Sequence, residues 1–396
     1  MNLPEIFLAF RKKAAGRPNS RSHEKALQRI ATNIPLPLVT TMICFHPERA
    51  GLNLDKAVEQ IEKYREKHFK LKKKGKLPKV LKPDVAVIGS GPAGLTAASE
   101  LSHKGHSVTV FEELEELGGM LRKCIPQFRL PKNIVSKEVE YIRDMGVDFR
   151  TRIKVGKKPS FQDLKKRGYK ALFLAVGAHK TKNPRIKGSN MDGVKDALEF
   201  LWKTNCGKQA EIGKQVIVIG GGNVAVDAAR TALNLGAEHV TIAYRRSENE
   251  IPANPWEIQE AREHDVKIEF LISPKEILGS DGKVTGVEFL KMQLGEPDES
   301  GRRSTTPIEG SEFKRQADMV VLAVGEIPDT SFLPKEILTN EDGTIWVNPI
   351  TMETSVSGVY AGGDAVNGAA TVIEAIRDGK RAAESIHNFI KHTGEG

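Results

Sequence analysis

Val85-Ala86-Val87-Ile88 runs directly into Gly89-Ser90-Gly91-Pro92-Ala93-Gly94, and Val216-Ile217-Val218-Ile219 runs into Gly220-Gly221-Gly222-Asn223-Val224-Ala225. Each stretch reads as an apolar strand, a glycine turn and the start of a helix. That order suits a dinucleotide pyrophosphate, which needs a tight turn, a backbone without a Cβ in its way, and helix amides to meet its charge. One such loop is a weak signal. Two in the same context, with different residues downstream, imply two dinucleotides and an α/β chain.

The downstream residues separate the two sites. After the first loop, Ser107-Val108-Thr109-Val110-Phe111 ends at Glu112, about 20 residues on, where a carboxylate accepts from ribose hydroxyls. Glu113, Glu115 and Glu116 follow it and read as a solvated acidic run. After the second loop, Val240-Thr241-Ile242-Ala243-Tyr244 ends in Arg245-Arg246, with no acid at that point. A carboxylate there would repel an adenosine 2′-phosphate, whereas guanidinium groups would hold it. The bland alternative for the two arginines is a solvated strand end. The first site therefore reads as FAD and the second as NADP(H), the outline of a flavin enzyme fed by a nicotinamide.

The 396 residues, 39% of them hydrophobic and 36 of them glycine, allow two or three domains with real cores. No apolar run reaches the roughly 18–20 residues of a membrane span. The short apolar patch Ile6 to Phe10 precedes Arg11-Lys12-Lys13, the reverse of a signal peptide's order, so a cytoplasmic protein is expected. The formal charge of +9 is concentrated partly in Lys63 through Lys82. That run reads as a solvated linker and helix face, or as a docking surface for an acidic partner such as a ferredoxin. No nucleic-acid motif accompanies it. The cysteines are Cys44, Cys124 and Cys206, none within CxxC spacing of another, which excludes a vicinal dithiol and leaves too few thiolates for a four-cysteine cluster. No metal site is expected.

Along the chain, residues 1–80 form a helical N-terminal domain, with Lys76 to Pro83 as the connection to the first strand. Ala171 to Gly177 and Val320 to Gly325 are matching apolar runs ended by Ala-Val-Gly, as for buried parallel strands. Val359-Tyr360-Ala361-Gly362-Gly363-Asp364 reads as a last short strand returning to the first domain. The expected division is thus 81–192 with 328–396 for FAD, and an inserted 193–327 for NADP(H). Thr371 to Phe389 reads as an amphipathic helix whose N-terminus could face a developing negative charge on the flavin. Gly295 to Gly301 reads as a hairpin tip.

These motifs resemble the small subunit of NADPH-dependent glutamate synthase and its relatives, including the FAD/NADPH half of dihydropyrimidine dehydrogenase and the large subunit of NADH-dependent ferredoxin:NADP oxidoreductase. The resemblance runs from about residue 30 to 392. It rests on the two loops, Gly118-Gly119-Met120-Leu121-Arg122, Ile125-Pro126-Gln127-Phe128-Arg129-Leu130-Pro131, Asp227 to Ala232, Tyr244 to Ser247, Leu294 to Asp298 and Ala361 to Asp364.

The resemblance implies two Rossmann-like domains of the glutathione-reductase type, one inserted in the other. It implies that Gly89, Gly91, Pro92, Ala93, Gly94 and Glu112 hold FAD with Gly119, Met120, Leu121, Arg122, Gly177, Gly363, Asp364 and Thr371. Gly220, Gly222, Asn223, Val224, Arg245, Arg246 and Gly325 would take NADPH. Without the resemblance, Asp364 would pass for a turn aspartate.

Two departures stand out. The family's N-terminal domain usually carries two [4Fe–4S] clusters; here Cys44 falls at a ligand position but Phe45 to Gly51 has lost the other cysteines, leaving a scaffold and an idle thiol. Lys123-Cys124 replaces the usual Tyr-Gly, in a segment expected near the flavin with Arg122 and Thr371. Cys124 reads as a packing residue or, less simply, a reactive flavin-side thiol.

The expected activity is hydride transfer from NADPH to FAD and onward electron transfer to a separate iron–sulfur or ferredoxin-type partner, in either direction. No side-chain acid or base is demanded, since the cofactors carry the chemistry. The rival readings are a glutamate synthase small subunit proper, against which the missing clusters argue, and a flavin-binding scaffold without turnover.

Overall fold

The computed structural model describes residues 36, 39–40, 54–68, 84–156, 158–182, 185–208, 210–297 and 301–394. Cys44, the degenerate cluster stretch around it and the lysines between 69 and 82 lie outside the described residues, as do 298–300 of the expected hairpin tip. Of the expected N-terminal domain, helix α1 (Leu54–His68) is described.

The four residues of β1 (Val85–Ile88), β2 (Val108–Phe111) and β4 (Ala171–Leu174) are all buried, as strands covered on both faces require. With β3 (Asp148–Arg150) and β16 (Val359–Ala361) they make a parallel sheet in the order β3-β2-β1-β4-β16. Helix α2 (Pro92–His103) carries the chain from β1 to β2. Then come α3 (Met120–Lys123), α4 (Lys132–Asp144) and α5 (Phe161–Lys166), the last begun by a reciprocal Ser160–Asp163 capping pair.

The scheme then repeats. After β5 (Lys180–Thr181), β6 (Val194–Asp196) and α6 (Ala197–Asn205), strand β7 (Gln215–Ile219) enters the second glycine loop and α7 (Asn223–Asn234) follows. Strand β8 (His239–Tyr244), α8 (Pro255–Glu263), β9 (Lys267–Phe270) and β14 (Met319–Leu322) complete a second parallel sheet, ordered β9-β8-β7-β14-β6. Both sheets thus reverse direction beside the strand that feeds the glycine loop, the switch point at which such folds bind ligands. Between β9 and β14 lies an antiparallel sheet of β10 (Ile272–Ser280), β11 (Lys283–Pro297), β12 (Arg303–Pro307) and β13 (Phe313–Gln316). The short β15 (Glu326–Ile327), α9 (Asp364–Asn367) and the long C-terminal α10 (Val372–Gly394) finish the chain.

Two compact units result. One holds the described residues of Met1–Arg122, Gln127–Ala178 and Ile327–Gly396; the other holds Lys123–Pro126 and His179–Glu326. The second begins before β6 because Lys187 and Asp192 bridge to Glu276 and Lys283 of the antiparallel sheet. In the first unit, Phe111, Leu174, Phe161 and Ile345 share one core; in the second, Ile219, Val287, Phe289 and Val320 share another.

Helix α1 is fastened to the first unit by a buried ion pair. Arg65 meets Glu138 of α4, the Arg65 guanidinium lies 3.9 Å from the Tyr141 ring centroid, and Val39 N donates to Glu138 Oε1 at 3.3 Å. Removing one partner of such a pair leaves a buried charge, at a cost of about 3–5 kcal/mol. Among the described residues no helix is long and apolar enough to cross a membrane.

Candidate functional site

In the first unit the loop 89–94 is built by three glycines with three different reasons. Gly89 has φ +102°, and a Cβ on it would lie 2.3 Å from the Ala175 carbonyl oxygen at the end of β4. A Cβ on Gly94 would lie 2.0 Å from the Gly89 oxygen, so the helix could not close onto the strand. A Cβ on Gly91 would meet nothing within 4 Å. That opening stands at the head of α2, where Pro92 starts the helix and no side chain caps it. Uncapped first-turn amides, including that of Ala93, are an anion site.

Glu112 is 6% exposed and set into the same loop. Its Oε2 accepts from Ser90 N at 3.0 Å and Ser90 Oγ at 2.6 Å, and its Oε1 accepts from Leu114 N at 2.9 Å. Its acidic neighbours behave differently: Glu113 and Glu115 are exposed and pair with Lys154 and Arg152. Ser90 Oγ also accepts from Gly118 N at 3.0 Å, tying the strand end to the second glycine pair. A Cβ on Gly119, whose φ is +52°, would lie 2.8 Å from Gly91 Cα.

The return strand reaches the same place. A Cβ on Gly363 would lie 3.0 Å from Ala93 Cβ, which sets Asp364, first residue of α9, beside the loop. Buried Asp378 of α10 holds this turn, its Oδ2 accepting from Gly363 N at 3.2 Å and Asn367 Nδ2 at 2.6 Å. Gly89 to Gly94, Glu112, Gly119 and Gly363-Asp364 are therefore brought together. Ser90 and Asp378 are the residues that sequence reasoning missed; a lone aspartate among Ala375, Ile376 and Gly379 on the buried face of a helix was the signal for the second.

Other expected flavin-side residues have structural partners. Arg122 donates to Leu117 O at 2.9 Å and Ser136 Oγ at 3.0 Å, Leu121 is buried, and Met120 opens α3. Gly177 follows β4 with φ +68°. Thr371 heads α10, exposed, and is engaged by Glu374: Thr371 N and Oγ1 donate to Glu374 Oε2 at 2.9 and 2.8 Å. The Thr371 amide holds the Glu374 carboxyl below the usual carboxylate range, so a negative charge sits at this helix head. Lys123 and Cys124 group with the second unit. Lys123 Nζ lies 4.7 Å from the Trp202 ring, and Asn205 Nδ2 donates to the Lys123 and Ile125 carbonyls at 3.2 Å. Cys124 is buried, and burial, with Asp227 and Glu326 nearby, pushes its thiol far above the ordinary cysteine range. Its burial disfavours the thiolate, in keeping with a packing role.

In the second unit the same construction recurs. Gly220 has φ +146°, and its Cβ would lie 2.1 Å from the Ala323 carbonyl oxygen. Gly222 faces open space at the head of α7, which also lacks a side-chain cap. A Cβ on Gly221 would lie 2.4 Å from the Tyr244 ring, so the end of β8 lies directly against the loop. Asn223 Oδ1 accepts from Asn254 N at 3.0 Å, Val224 is half-buried and Ala225 is fully buried at the third position. Gly325, with φ +101°, follows β14. The two arginines part company: Arg245 is exposed, while Arg246 is 5% exposed and its Nε donates to Arg303 O at 2.7 Å.

Two parallel sheets, each with a glycine loop opening at its switch point, define a two-dinucleotide protein. The chain belongs to the pyridine nucleotide-disulphide oxidoreductase family, whose model matches residues 83–379. It is 43% identical over 310 residues to the NADP(+)-dependent formate dehydrogenase subunit beta of Moorella thermoacetica, covering 78% of this chain and 44% of that protein. It is 36% identical to the NADPH-Fe(3+) oxidoreductase subunit beta of Geobacter sulfurreducens, covering 93% of this chain and 60% of that one. With the glutamate synthase [NADPH] small chain of Azospirillum brasilense it shares 37% identity, over 78% of this chain and 67% of that one. The chain thus spans about half the length of the first two relatives. Among solved structures, Mycobacterium tuberculosis FprA in complex with NADPH shares the fold, with TM-score 0.67 at 20% identity over 80% of this chain and 86% of that one.

Proposed function

We propose that the chain is an FAD-dependent NADPH oxidoreductase subunit that takes hydride from NADPH and passes electrons to an iron–sulfur or ferredoxin-type partner. The observation that carries this reading is the pair of open glycines, Gly91 and Gly222, each heading an uncapped helix at a switch point. Both places suit the pyrophosphate of a dinucleotide.

The flanking chemistry supports this allotment of the nucleotides. Glu112, fixed by Ser90 and Leu114, presents a carboxylate to the adenosine ribose of FAD. Arg245, exposed where β8 meets the second loop, suits the 2′-phosphate of NADPH. Gly119 and Gly363-Asp364 border the first loop and would hold the flavin nucleotide along its length. When bound, FAD would accept one hydride from NADPH and release its two electrons onward. The chain's own work is to bind, orient and tune, as by the Glu374 charge at the head of α10.

A separate acceptor is supported by the names of the relatives, two of which are beta subunits. The test is to mix the flavin-loaded chain anaerobically with NADPH and then with a ferredoxin-type protein, using ferricyanide in parallel. Reduction of both is expected. Ferricyanide reduction alone overturns the partner; reduction of neither overturns the oxidoreductase.

A further inference from the structure

We propose that only Arg245 of the arginine pair meets the NADPH 2′-phosphate, and that Arg246 is a positioning residue which locks the β11–β12 hairpin to the end of β8. This rests on the NADPH reading of the second loop and assigns the selectivity of that same site.

The two side chains leave one strand end in opposite senses. Tyr244 packs its ring on Gly221 and donates its hydroxyl to Glu250 O at 2.8 Å, so the backbone of Arg245 is held next to the loop that receives the pyrophosphate. Ser247 and Glu250 close the following turn: Ser247 N donates to Glu250 Oε2 at 3.2 Å, and the two side chains are also hydrogen-bonded. From this frame Arg245 projects to solvent. A charged guanidinium held at a nucleotide's edge yet open to water is what a 2′-phosphate needs.

Arg246 has a different job. It is nine-tenths or more buried, its Nε reaches the Arg303 carbonyl at 2.7 Å, and its own carbonyl accepts from Leu271 N at 3.1 Å. Leu271 O in turn accepts from Met292 N at 2.8 Å. Arg303 staples the hairpin from the other side, donating to Gly295 O at 3.0 Å and more loosely to Leu294 O at 3.4 Å. One residue therefore joins the turn that carries Arg245, the crossover from β9 to β10, and the paired ends of β11 and β12. The guanidinium of Arg246 is thus already engaged by the protein itself through Nε, whereas Arg245 lies open to solvent.

The test uses the flavin-loaded chain and measures kcat/KM for flavin bleaching by NADPH and by NADH in the native protein, Arg245→Met, Arg246→Met, the double variant and Arg246→Lys. Loss of a charge-assisted contact should lower the NADPH:NADH preference about 10–100-fold in Arg245→Met. Arg246→Met should lower it several-fold, with no further loss when added to Arg245→Met. Amide hydrogen exchange at Leu271, 294–296 and 301–303 should rise in both Arg246 variants and stay native in Arg245→Met. Arg246→Lys keeps the charge without the fork, so it should lose exchange protection despite keeping a cation. Independent, multiplying losses in the double variant, or native exchange in Arg246→Lys with full selectivity, would overturn the proposal. A native chain without NADPH preference would sink the nucleotide reading instead, while the exchange measurement still decides whether Arg246 holds the hairpin.

Discussion

The loops at 89–94 and 220–225 are copies in their sterics and opposites in their chemistry. In both, the first glycine lies against a carbonyl of the next parallel strand, Ala175 in one and Ala323 in the other, where an added Cβ would come to 2.3 and 2.1 Å. In both, the second glycine faces open space. The third position differs, Gly94 being forbidden a Cβ by the Gly89 oxygen at 2.0 Å while Ala225 carries one and is fully buried. The residue at the neighbouring strand end differs more: a buried, triply hydrogen-bonded Glu112 against an exposed Arg245. On the proposed reading, the fold sets where a pyrophosphate goes, and one side chain per site would set which nucleotide brings it.

The largest expected effect comes from breaking the shared feature. Gly89→Ala and Gly220→Ala each force a Cβ into a backbone oxygen at positive φ and should cost about 3–5 kcal/mol. Thermal unfolding read beside flavin content should show the first losing flavin and the second keeping it while losing reduction by NADPH. A smaller and more discriminating effect is expected at the open glycines. Gly91 and Gly222 have φ −68° and −83°, which alanine adopts freely, so their alanine variants should unfold no earlier than the native chain. Each should nonetheless bind its own nucleotide about tenfold or more weakly, a difference of about 1.4 kcal/mol. Equal losses of both nucleotides in either variant would break the comparison.

Below these stands Glu112→Ala, which leaves the buried Ser90 amide and hydroxyl without their acceptor, at about 1–3 kcal/mol, and should lower flavin retention without changing the NADPH:NADH preference.

The smallest effect is a pH dependence confined to the first unit. His106 Nε2 and His387 Nδ1 lie 2.7 Å apart, and burial holds both rings below the usual histidine range, with the partner ring adding to the effect on His106. Lys104, Lys170 and Lys391 oppose their protonation, while Asp84 and Glu384 favour it. A depressed histidine pKa contributes stability that is present above the unfolded value and is lost as pH falls from there through the folded value. The melting temperature should therefore drop slightly more steeply below about pH 6.5 in the native chain than in His387→Gln.

Much of this was legible in the sequence, for physical reasons. Valine- and isoleucine-rich runs ending in glycine mark both loops, and Glu112 could be named from its spacing, whereas the Gly363-Asp364 turn needed the resemblance. What was hidden depends on partners far along the chain. Arg245 and Arg246 are identical as letters; the bond of Arg246 to the carbonyl of Arg303, far along the chain, is visible only in the fold. Ser90 stands between two glycines with no signal of its own in the sequence, although its hydroxyl links Glu112 to Gly118. Cys124 sits in a segment associated with the flavin by resemblance, yet it is buried and groups with the second unit.

The most direct measurement is an anaerobic titration of the flavin-loaded chain with NADPH and, separately, NADH, followed in the visible flavin band. The account predicts rapid bleaching by NADPH, with NADH needing much higher concentration for the same rate. A flavin that stays oxidised with both nucleotides, or that bleaches equally with each, would contradict it.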